Sequence, residues 1–255
     1  MKKKISLFLV MALTAILSAF SQTRELQIWR DGSLLQSFAV ADIDSVTIGY
    51  SDDIHEFVDL GLPSGTLWAT MNVGASKPED YGSYFAWGET EPYDENGKTD
   101  FNWSTYKWCN GSSDTQTKYN TSSSYGTVDN KTELDLEDDA AYVNWGKQWR
   151  MPSQEQFEEL INSDYTTTEW TTVNGVKGRL ITSRTNENSI FLPAAGYRYD
   201  TSLYDAGSRG YYWSRTLYTG YPGSAWRLNF RSDYVNTSSN RRYDGQSVRP
   251  VRLSE

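Results

Sequence analysis

Apolar and polar residues alternate one by one near the C-terminal end of the chain, over positions 226–231. The apolar members are Trp226, Leu228 and Phe230, and the polar members are Arg227, Asn229 and Arg231. A period of two predicts a β-strand with one face in the core and the other in water. We therefore interpret the water-facing side as the surface of a binding protein.

The surrounding segment has the composition of a recognition surface. Residues 196–255 hold nine Arg, no Lys and nine of the 18 Tyr of the chain. Tyr offers rigid amphipathic area, and Arg offers planar, forked hydrogen-bond donors. The residues that we expect to contact a ligand are Tyr218, Tyr221, Arg227, Asn229, Arg231, Tyr234, Asn236, Arg241, Arg242 and Tyr243. The alternative is that exported all-β proteins are often rich in Tyr and Arg without such a role.

The N-terminal residues 1–21 have the pattern of a secretory signal peptide. Lys2, Lys3 and Lys4 precede an apolar run over residues 5–17, and small residues precede a plausible cleavage site before Gln22. The run is too short for a transmembrane helix, and no Cys follows it that could carry a bacterial lipid anchor. We expect an exported protein without a transmembrane segment, located in the periplasm, on the outer surface or outside the cell.

Charge and cysteine content exclude several classes of protein. The formal charge is −9, and loss of the three lysines in residues 1–21 would make it more negative. An acidic exported chain is a poor candidate for binding nucleic acid or anionic lipid. Cys109 is the only cysteine, so no disulfide can form within the chain, and stability must come from burial, for which ten Trp are available.

Turn signals divide the remainder into a leader and a main domain. Residues 22–50 predict a small β leader, because apolar residues flank a hairpin turn at Asp31-Gly32 and a third strand follows. Residues 51–56 are a polar linker, and residues 57–255 form the main domain. One hypothesis that remains open is that the leader docks to another protein, which would make the chain a structural or adhesion subunit.

The main domain is predicted to be α+β, with an antiparallel sheet, two helices and long loops. The predicted strands cover residues 67–71, 84–87, 189–195 and 247–253, a hairpin spans 170–182 with its turn at Asn174-Gly175, and the helices span 134–145 and 153–161. Ser153 and Gln156 form a predicted capping box. The polar residues 89–130 are either a mobile insertion or irregular structure held by Trp103, Trp108 and Tyr119.

The chain contains few of the residues that catalytic sites normally use. His55 is the only histidine, and we expect it to be solvated. Cys109 has no suggested base, and we expect it to be a buried small residue or an idle thiol. We therefore predict no catalytic residues, no metal ligands and no cofactor. Two options remain open, a carboxylate-based glycosidase and a weak calcium site, the latter suggested by Asp94, Asn96 and Asp100.

Several separated motifs point to one family. They are FVDLGLPSGTLWA at 57–69, DAAYVNWG at 139–146, WRMPS at 149–153, YWS at 212–214 and SVRPV at 247–251. Together they resemble the Fibrobacter succinogenes major paralogous domain, which is abundant in exported proteins of gut Bacteroidetes. The WRMPS and SVRPV segments are also similar to the formylglycine-generating sulfatase-modifying group.

These resemblances imply a C-type-lectin-like fold over residues 57–253, in which the first and last strands meet and two helices flank a small sheet. The catalytic cysteines of the formylglycine-generating enzymes and the iron-binding histidines of related sulfoxide synthases have no match here, which argues against those activities. The domain would then be a non-enzymatic binding protein for a glycan or a protein, with a divergent sulfatase-modifying enzyme as an alternative.

The C-terminal segment also resembles the variable region of proteins targeted by diversity-generating retroelements, which use this fold. In those proteins mutation of Asn codons leaves Asn, Tyr, Ser and Asp on a fixed frame. The residues that suit this pattern are Tyr234, Asn236, Ser238, Ser239, Asn240, Tyr243 and Asp244. The alternative is a simple polar, Tyr-rich loop. The sequence does not decide the ligand or the oligomeric state.

Overall fold

The computed structural model describes residues 3–8, 25–30, 33–39, 43–49 and 55–253. The chain divides into two compact units, Met1–Ile54 and His55–Glu255. Most of the expected signal segment, the turn at Asp31-Gly32 and residues 51–54 of the expected linker lie outside the described residues.

Unit 1 contains four described strands, β1 (Lys3–Phe8), β2 (Glu25–Arg30), β3 (Ser33–Ala39) and β4 (Ile43–Gly49). Strands β2 and β3 pair antiparallel from Glu25 opposite Ala39 to Arg30 opposite Ser33, as the hairpin prediction required. Strand β1 pairs with β4 in parallel. It lies within the segment that we expect to be a signal peptide, and that expectation stays a prediction.

Unit 2 is rich in strands and contains two short helices. The strands are β5 (Phe57–Asp59), β6 (Thr66–Ala69), β7 (Thr166–Val173), β8 (Val176–Ser183), β9 (Ser189–Pro193), β10 (Tyr197–Tyr199), β11 (Ser202–Tyr204), β12 (Gly210–Leu217), β13 (Ser224–Arg231), β14 (Tyr234–Arg241) and β15 (Val251–Leu253), and the helices are α1 (Ala140–Trp145) and α2 (Gln154–Leu160). Every strand pair in this unit is antiparallel. The described residues of unit 2 are therefore α+β.

The beginning and the end of unit 2 meet in one sheet, in the order β15-β6-β5. Val251 lies opposite Trp68, and Trp68 lies opposite Val58 on the other side. Trp68 is fully buried and packs against Phe157 of α2, with ring centroids 5.6 Å apart. This sheet therefore joins the two ends of unit 2 and packs against its core.

The sheet β12-β13-β14 provides the frame for the predicted binding surface. Tyr212 lies opposite Leu228 and Gly210 lies opposite Phe230, and the side chains of Tyr212, Leu228 and Phe230 are completely buried. A Cβ atom at Gly210 would lie 2.1 Å from the Phe230 ring, so only glycine fits there. The predicted alternation is thus confirmed for the core-facing side of β13 at positions 228 and 230.

Two helix predictions differ in outcome. The capping box is confirmed, because the Ser153 hydroxyl accepts from the Gln156 N–H and the Gln156 side chain accepts from the Ser153 N–H at the start of α2. The helix predicted over 134–145 is wrong in extent, since only α1 is α-helical and a 3₁₀ turn covers Leu136–Asp138. The Asp139 carboxylate caps α1 and also accepts from Met151, which fixes the start of α1 at Ala140.

The strand predicted over 84–87 is also wrong. Phe85 forms one isolated bridge with Gln246, and its neighbours join no ladder among the described residues. The polar stretch 89–130 is irregular structure held by aromatic side chains, which was one of the two alternatives. Tyr119 is fully buried, the Trp108 indole donates to Gly88 at 2.6 Å, and the Trp103 ring lies 4.7 Å from Tyr243.

His55 and Cys109 are both partly buried. His55 is not simply solvated, because its ring stacks on Trp145 with centroids 3.6 Å apart and planes 7° apart. The Cys109 thiol donates to the Trp103 carbonyl at 3.1 Å, and burial raises its pKa. Among the described residues, the helices are too short and too polar to traverse a bilayer.

Candidate functional site

Most of one side of the β12-β13-β14 sheet is polar, and we call this part the polar face. Its members are Tyr211 of β12, Arg227, Asn229 and Arg231 of β13, and Tyr234, Asn236, Ser238 and Asn240 of β14. Trp213 and Ala225 lie on the same side but are fully buried. Alternation along each strand places these residues on the side opposite Leu228 and Phe230. The polar face therefore follows directly from the pattern that the sequence shows.

Two arginines of the polar face lie over tyrosine rings. The Arg227 guanidinium lies 4.4 Å from the Tyr211 ring centroid, and that of Arg231 lies 4.7 Å from the Tyr234 ring. Arg231 also forms a two-pronged ion pair with Asp233, at 2.6 and 3.1 Å. Such stacking holds a guanidinium flat and leaves its edge free to donate hydrogen bonds.

Arg227 is the most enclosed cation of this face. Among the described residues its guanidinium donates one hydrogen bond, a long one of 3.4 Å from Nε to the Ser238 hydroxyl. Burial lowers the pKa of the Arg227 guanidinium, while Tyr211 and Asp244 act in the opposite direction. A partly dehydrated guanidinium with spare donors is a site that favours an anionic or polar partner.

Asn229 is buried although it lies on the polar face. Its amide donates to the Asn236 side chain at 2.6 Å and to the Ser238 hydroxyl at 2.7 Å. It is only 5 % exposed because these cross-strand bonds hold it between its neighbours. Asn229 thus fixes the neighbouring side chains of β14 rather than standing free for a ligand.

A tyrosine-rich hairpin borders the polar face. It consists of β10 and β11, and we call it the tyrosine hairpin. Tyr197 packs against Tyr204 at 5.6 Å and edge-on against Tyr211 of the polar face at 5.2 Å. The Tyr211 hydroxyl donates to Asp205 at 2.8 Å, while Tyr204 is 44 % exposed. The hairpin therefore adds an aromatic wall to the surface.

Asp244 lies behind this wall and is almost fully buried, at 4 % exposure. Its Oδ2 accepts from the Asn240 amide, and its Oδ1 has no hydrogen-bond partner among the described residues. Burial raises the pKa of this carboxyl to about 7, although Asn240, Arg227 and Arg241 oppose the rise. This group therefore titrates near neutral pH, within the electrostatic reach of Arg227 and Arg241.

The predictions for Arg242 and Tyr243 are wrong. Arg242 is fully buried and donates to Tyr106, Tyr119, Pro222 and Lys118 at 2.8 to 3.1 Å. Tyr243 is 4 % exposed and packs against Trp103. The physical reason is that β14 ends at Arg241 and the chain turns inward, where Arg242 N–H bonds to the Gly223 carbonyl.

The structure also separates Tyr218 and Tyr221 from the polar face. Tyr218 packs edge-on against Trp226 at 5.2 Å, and Tyr221 packs against Tyr125 at 5.0 Å. Trp226 precedes Arg227 in an extended strand, so the two side chains point to opposite sides. Trp226 is half-buried rather than part of the sealed core.

Of the remaining predicted contacts, the structure brings together five on the polar face and one at its end. They are Arg227, Asn229, Arg231, Tyr234 and Asn236 on the face, and Arg241 at the end of β14 beside Tyr243. The sequence analysis missed Tyr197, Tyr204, Tyr211 and Asp205, and treated Asp244 only as part of a variable segment. The closely spaced tyrosines of residues 197–204 were the available signal.

Of the three predicted calcium residues, only Asp100 lines a surface cleft, and Asp94 and Asn96 lie outside its lining. Asp94 Oδ1 accepts from the N–H of Asn96 in its own turn. Asp100, Lys98 and Glu89 line a cleft of about 490 Å³, in which Lys98 and Glu89 form an ion pair. Within residues 55–253 no group of three or more His, Cys, Asp and Glu side chains converges on one point. Calcium binding stays a prediction.

Comparison with known proteins gives one partial match. A family model described as a domain of unknown function (DUF8237) matches residues 180–251. No curated protein and no solved structure matches the chain. The matched range contains the tyrosine hairpin and the whole β12-β13-β14 sheet, so it coincides with the candidate site.

Proposed function

We propose that this chain is an exported, non-enzymatic binding protein that recognises a glycan through the polar face and the tyrosine hairpin. The observation that carries the proposal is the stacking of Arg227 and Arg231 on tyrosine rings beside the exposed ring of Tyr204. Aromatic rings stack on the apolar faces of sugars. Guanidinium groups bind the carboxylates of acidic sugars with two hydrogen bonds.

Rigidity supports a binding role for this surface. The polar face stands on a sheet whose other side is sealed by Tyr212, Leu228 and Phe230, all fully buried. Side chains that are already ordered lose little conformational freedom when a ligand binds. A surface protein is a second ligand class compatible with the same features, because Tyr and Arg dominate protein recognition as well.

Export and fold type belong to the same proposal. The pattern of residues 1–21 supports export to the periplasm, the outer surface or the medium. A C-type-lectin-like fold for unit 2 is supported by the antiparallel pairing of β15 with β6 and by the position of α2 against the central sheet. Membership of the Fibrobacter succinogenes major paralogous domain family is proposed on its motifs alone.

A glycan array followed by calorimetric titration tests the binding role. The variants Arg231→Ala and Tyr204→Ala remove one cation and one exposed ring from the proposed surface, and we expect each to weaken binding. Tyr218→Ala is the matched control, because it removes a half-buried tyrosine on the other side of the sheet. Equal affinity for all four proteins would remove the polar face from the binding site.

A glycosidase is the second candidate, favoured by one observation. Asp244 is a buried carboxyl with a pKa raised to about 7 by burial, which is the property required of a general acid. Chromogenic glycosides of several sugars would reveal turnover, and Asp244→Asn should then abolish it. Turnover that survives this substitution would exclude Asp244 as the acid.

A further inference from the structure

The carboxyl group of Asp244 is only half used by the fold. Its Oδ2 accepts from the Asn240 amide, but its Oδ1 has no hydrogen-bond partner among the described residues, although Asp244 is 4 % exposed. A buried oxygen without a donor has lost its contact with bulk water and has gained no bond within the protein. A ligand that brings a donor to this oxygen would remove that deficit.

Arg227 supplies the complementary half of the arrangement, because it has donors to spare. Its guanidinium lies over the Tyr211 ring and donates only the long bond to the Ser238 hydroxyl among the described residues. Arg227 and Asp244 influence each other's charge, yet within residues 55–253 they form no ion pair with each other. A gap therefore separates an unused acceptor from unused donors.

Gln246 provides a second unbonded group on the same side as Asp244. It is fully buried, and neither its Oε1 nor its Nε2 has a partner among the described residues. The chain is extended here, because Gly245 forms a bridge with Arg198 and Gln246 forms one with Phe85. Side chains two positions apart in an extended chain lie on one side. Two neighbouring polar side chains of this segment therefore retain unused hydrogen-bonding atoms.

Two half-buried side chains connect Asp244 to the surface. Arg227 and Tyr197 are each partly exposed. Tyr197 packs edge-on against Tyr211 with ring centroids 5.2 Å apart, and burial, followed by Asp244, raises the pKa of its phenol. A sugar that stacks on the Tyr197 ring therefore approaches the Arg227 guanidinium and the Asp244 carboxyl behind it.

We propose that Asp244 and Arg227 form a subsite for one hydroxyl group of a neutral sugar, which donates to Asp244 Oδ1 and accepts from the Arg227 guanidinium. A hydroxyl group does both at once, whereas a carboxylate only accepts and is repelled by ionised Asp244. This inference rests on the proposed function. It narrows the ligand of the polar face to glycans that present a neutral sugar at this position.

Binding through this subsite should strengthen as the pH rises. Burial raises the pKa of Asp244 to about 7, and a hydroxyl donates more strongly to the ionised carboxylate than to the protonated carboxyl. We expect the affinity to rise about fivefold to tenfold between about pH 5.5 and about pH 8.5, and the bound sugar to lower the pKa of Asp244 by linkage. An acidic sugar would show the opposite dependence.

The other groups around Asp244 are unlikely sources of such a dependence, because none of them is a histidine or a buried acid. They are the charged groups of Arg241 at the end of β14 and Asp200 between β10 and β11, and the phenols of Tyr197 and Tyr243. Arg241 and Asp200 are exposed, so water and salt screen their effect. Burial is the main cause that raises the pKa of both phenols, so they stay neutral over this range.

Calorimetric titration with methyl glycosides of glucose, galactose and mannose tests the subsite at about pH 5.5, 7 and 8.5. Asp244→Asn should bind the same glycoside more weakly and equally at each pH, because an amide oxygen accepts without carrying a charge. Arg231→Ala is the matched control and should keep the pH dependence of the parent chain, because Arg231 lies at the far end of β13.

Deoxy analogues of the bound glycoside complete the test without any substitution in the protein. Removal of one particular hydroxyl should weaken binding by about tenfold and abolish the pH dependence. Affinity that is equal at every pH and unchanged in Asp244→Asn overturns the hydroxyl subsite, as does tighter binding of methyl glucuronide at lower pH. If none of these glycosides binds, the subsite also fails, while larger glycans bound on the array would leave the proposed function standing.

Discussion

The interior of unit 2 and the polar face both depend on arginine, but they use it differently. Arg242 and Arg249 are fully buried, and between them they donate to five main-chain carbonyl oxygens of segments distant in the sequence. Arg227 and Arg231 instead lie on tyrosine rings, at 4.4 and 4.7 Å, and use few of their donors on the protein. The first pair holds the fold together, whereas the second retains capacity for a partner.

The comparison shows why the number of arginines in a segment does not measure a binding surface. A buried guanidinium without a carboxylate partner needs neutral hydrogen-bond acceptors, and main-chain carbonyls provide most of them here. Arg249 meets this requirement through Asn72, Ala69 and Phe191, and burial lowers its pKa to about 10, so it remains charged at neutral pH. Substitutions should therefore separate the two groups sharply.

The largest effect is expected for Arg242→Met. The change leaves the carbonyls of Tyr119, Pro222 and Lys118 without a buried donor. We expect the free energy of unfolding to fall by about 3–5 kcal/mol, measured by urea denaturation. Arg241→Met is the matched control on an exposed neighbour and should cost well under 1 kcal/mol. Similar losses for both would remove the distinction between the two groups.

Asp244→Asn should change the dependence of stability on pH. The pKa of Asp244 is raised from 3.8 to about 7 in the folded chain, so folding favours the protonated form. Below about pH 4 the raised pKa contributes roughly 2–4 kcal/mol to the free energy of unfolding, and this contribution is lost as the pH rises to about 7. Thermal melts of the parent chain and of Asp244→Asn should diverge over that interval and run parallel above it. Parallel curves throughout would contradict the raised pKa.

Asn229→Ala tests a residue that lies on the polar face but is buried like a core residue. It removes the two amide bonds to Asn236 and Ser238 in a site that is 5 % exposed. We expect a loss of about 1–2 kcal/mol in the free energy of unfolding. Asn236→Ala, on the exposed side of the same pair, should cost less. The reverse order would show that Asn236 is the residue that holds this pair.

Arg231→Ala should have the smallest effect on stability. Its ion pair with Asp233 is solvent-exposed, and such pairs contribute less than about 1 kcal/mol. We expect a change within about 0.5 kcal/mol in denaturation, together with a clear loss of affinity for any ligand of the polar face. A large loss of stability would place Arg231 with the interior arginines and end its role as a contact residue.

Local signals allowed several elements to be predicted. The Asn174-Gly175 turn connects β7 and β8, as the hairpin signal required, because two residues that accept a positive φ suit a tight turn. The Ser153 and Gln156 capping box begins α2. Such signals depend only on neighbouring residues, so they can be recognised without knowing how the rest of the chain folds.

Signals that depend on distant partners were less reliable. The helix predicted over 134–145 is shortened because Asp139 also binds Met151, twelve positions further on. The strand predicted over 84–87 has only one bridge, because its partner Gln246 lies in an irregular segment. A hydrophobic pattern indicates that residues are buried, but it does not indicate which element covers them.

The residue pattern alone indicates that β13 has a polar side and an apolar side, because side chains of an extended chain alternate. No such pattern separates exposed Arg241 from buried Arg242, because the inward turn after β14 depends on contacts with Gly223 and with the loop over residues 118–119. The tertiary structure likewise brings Tyr197, Tyr211 and Asp244 together from three separate segments. Contacts between distant segments depend on how the elements pack, and no local pattern carries that information.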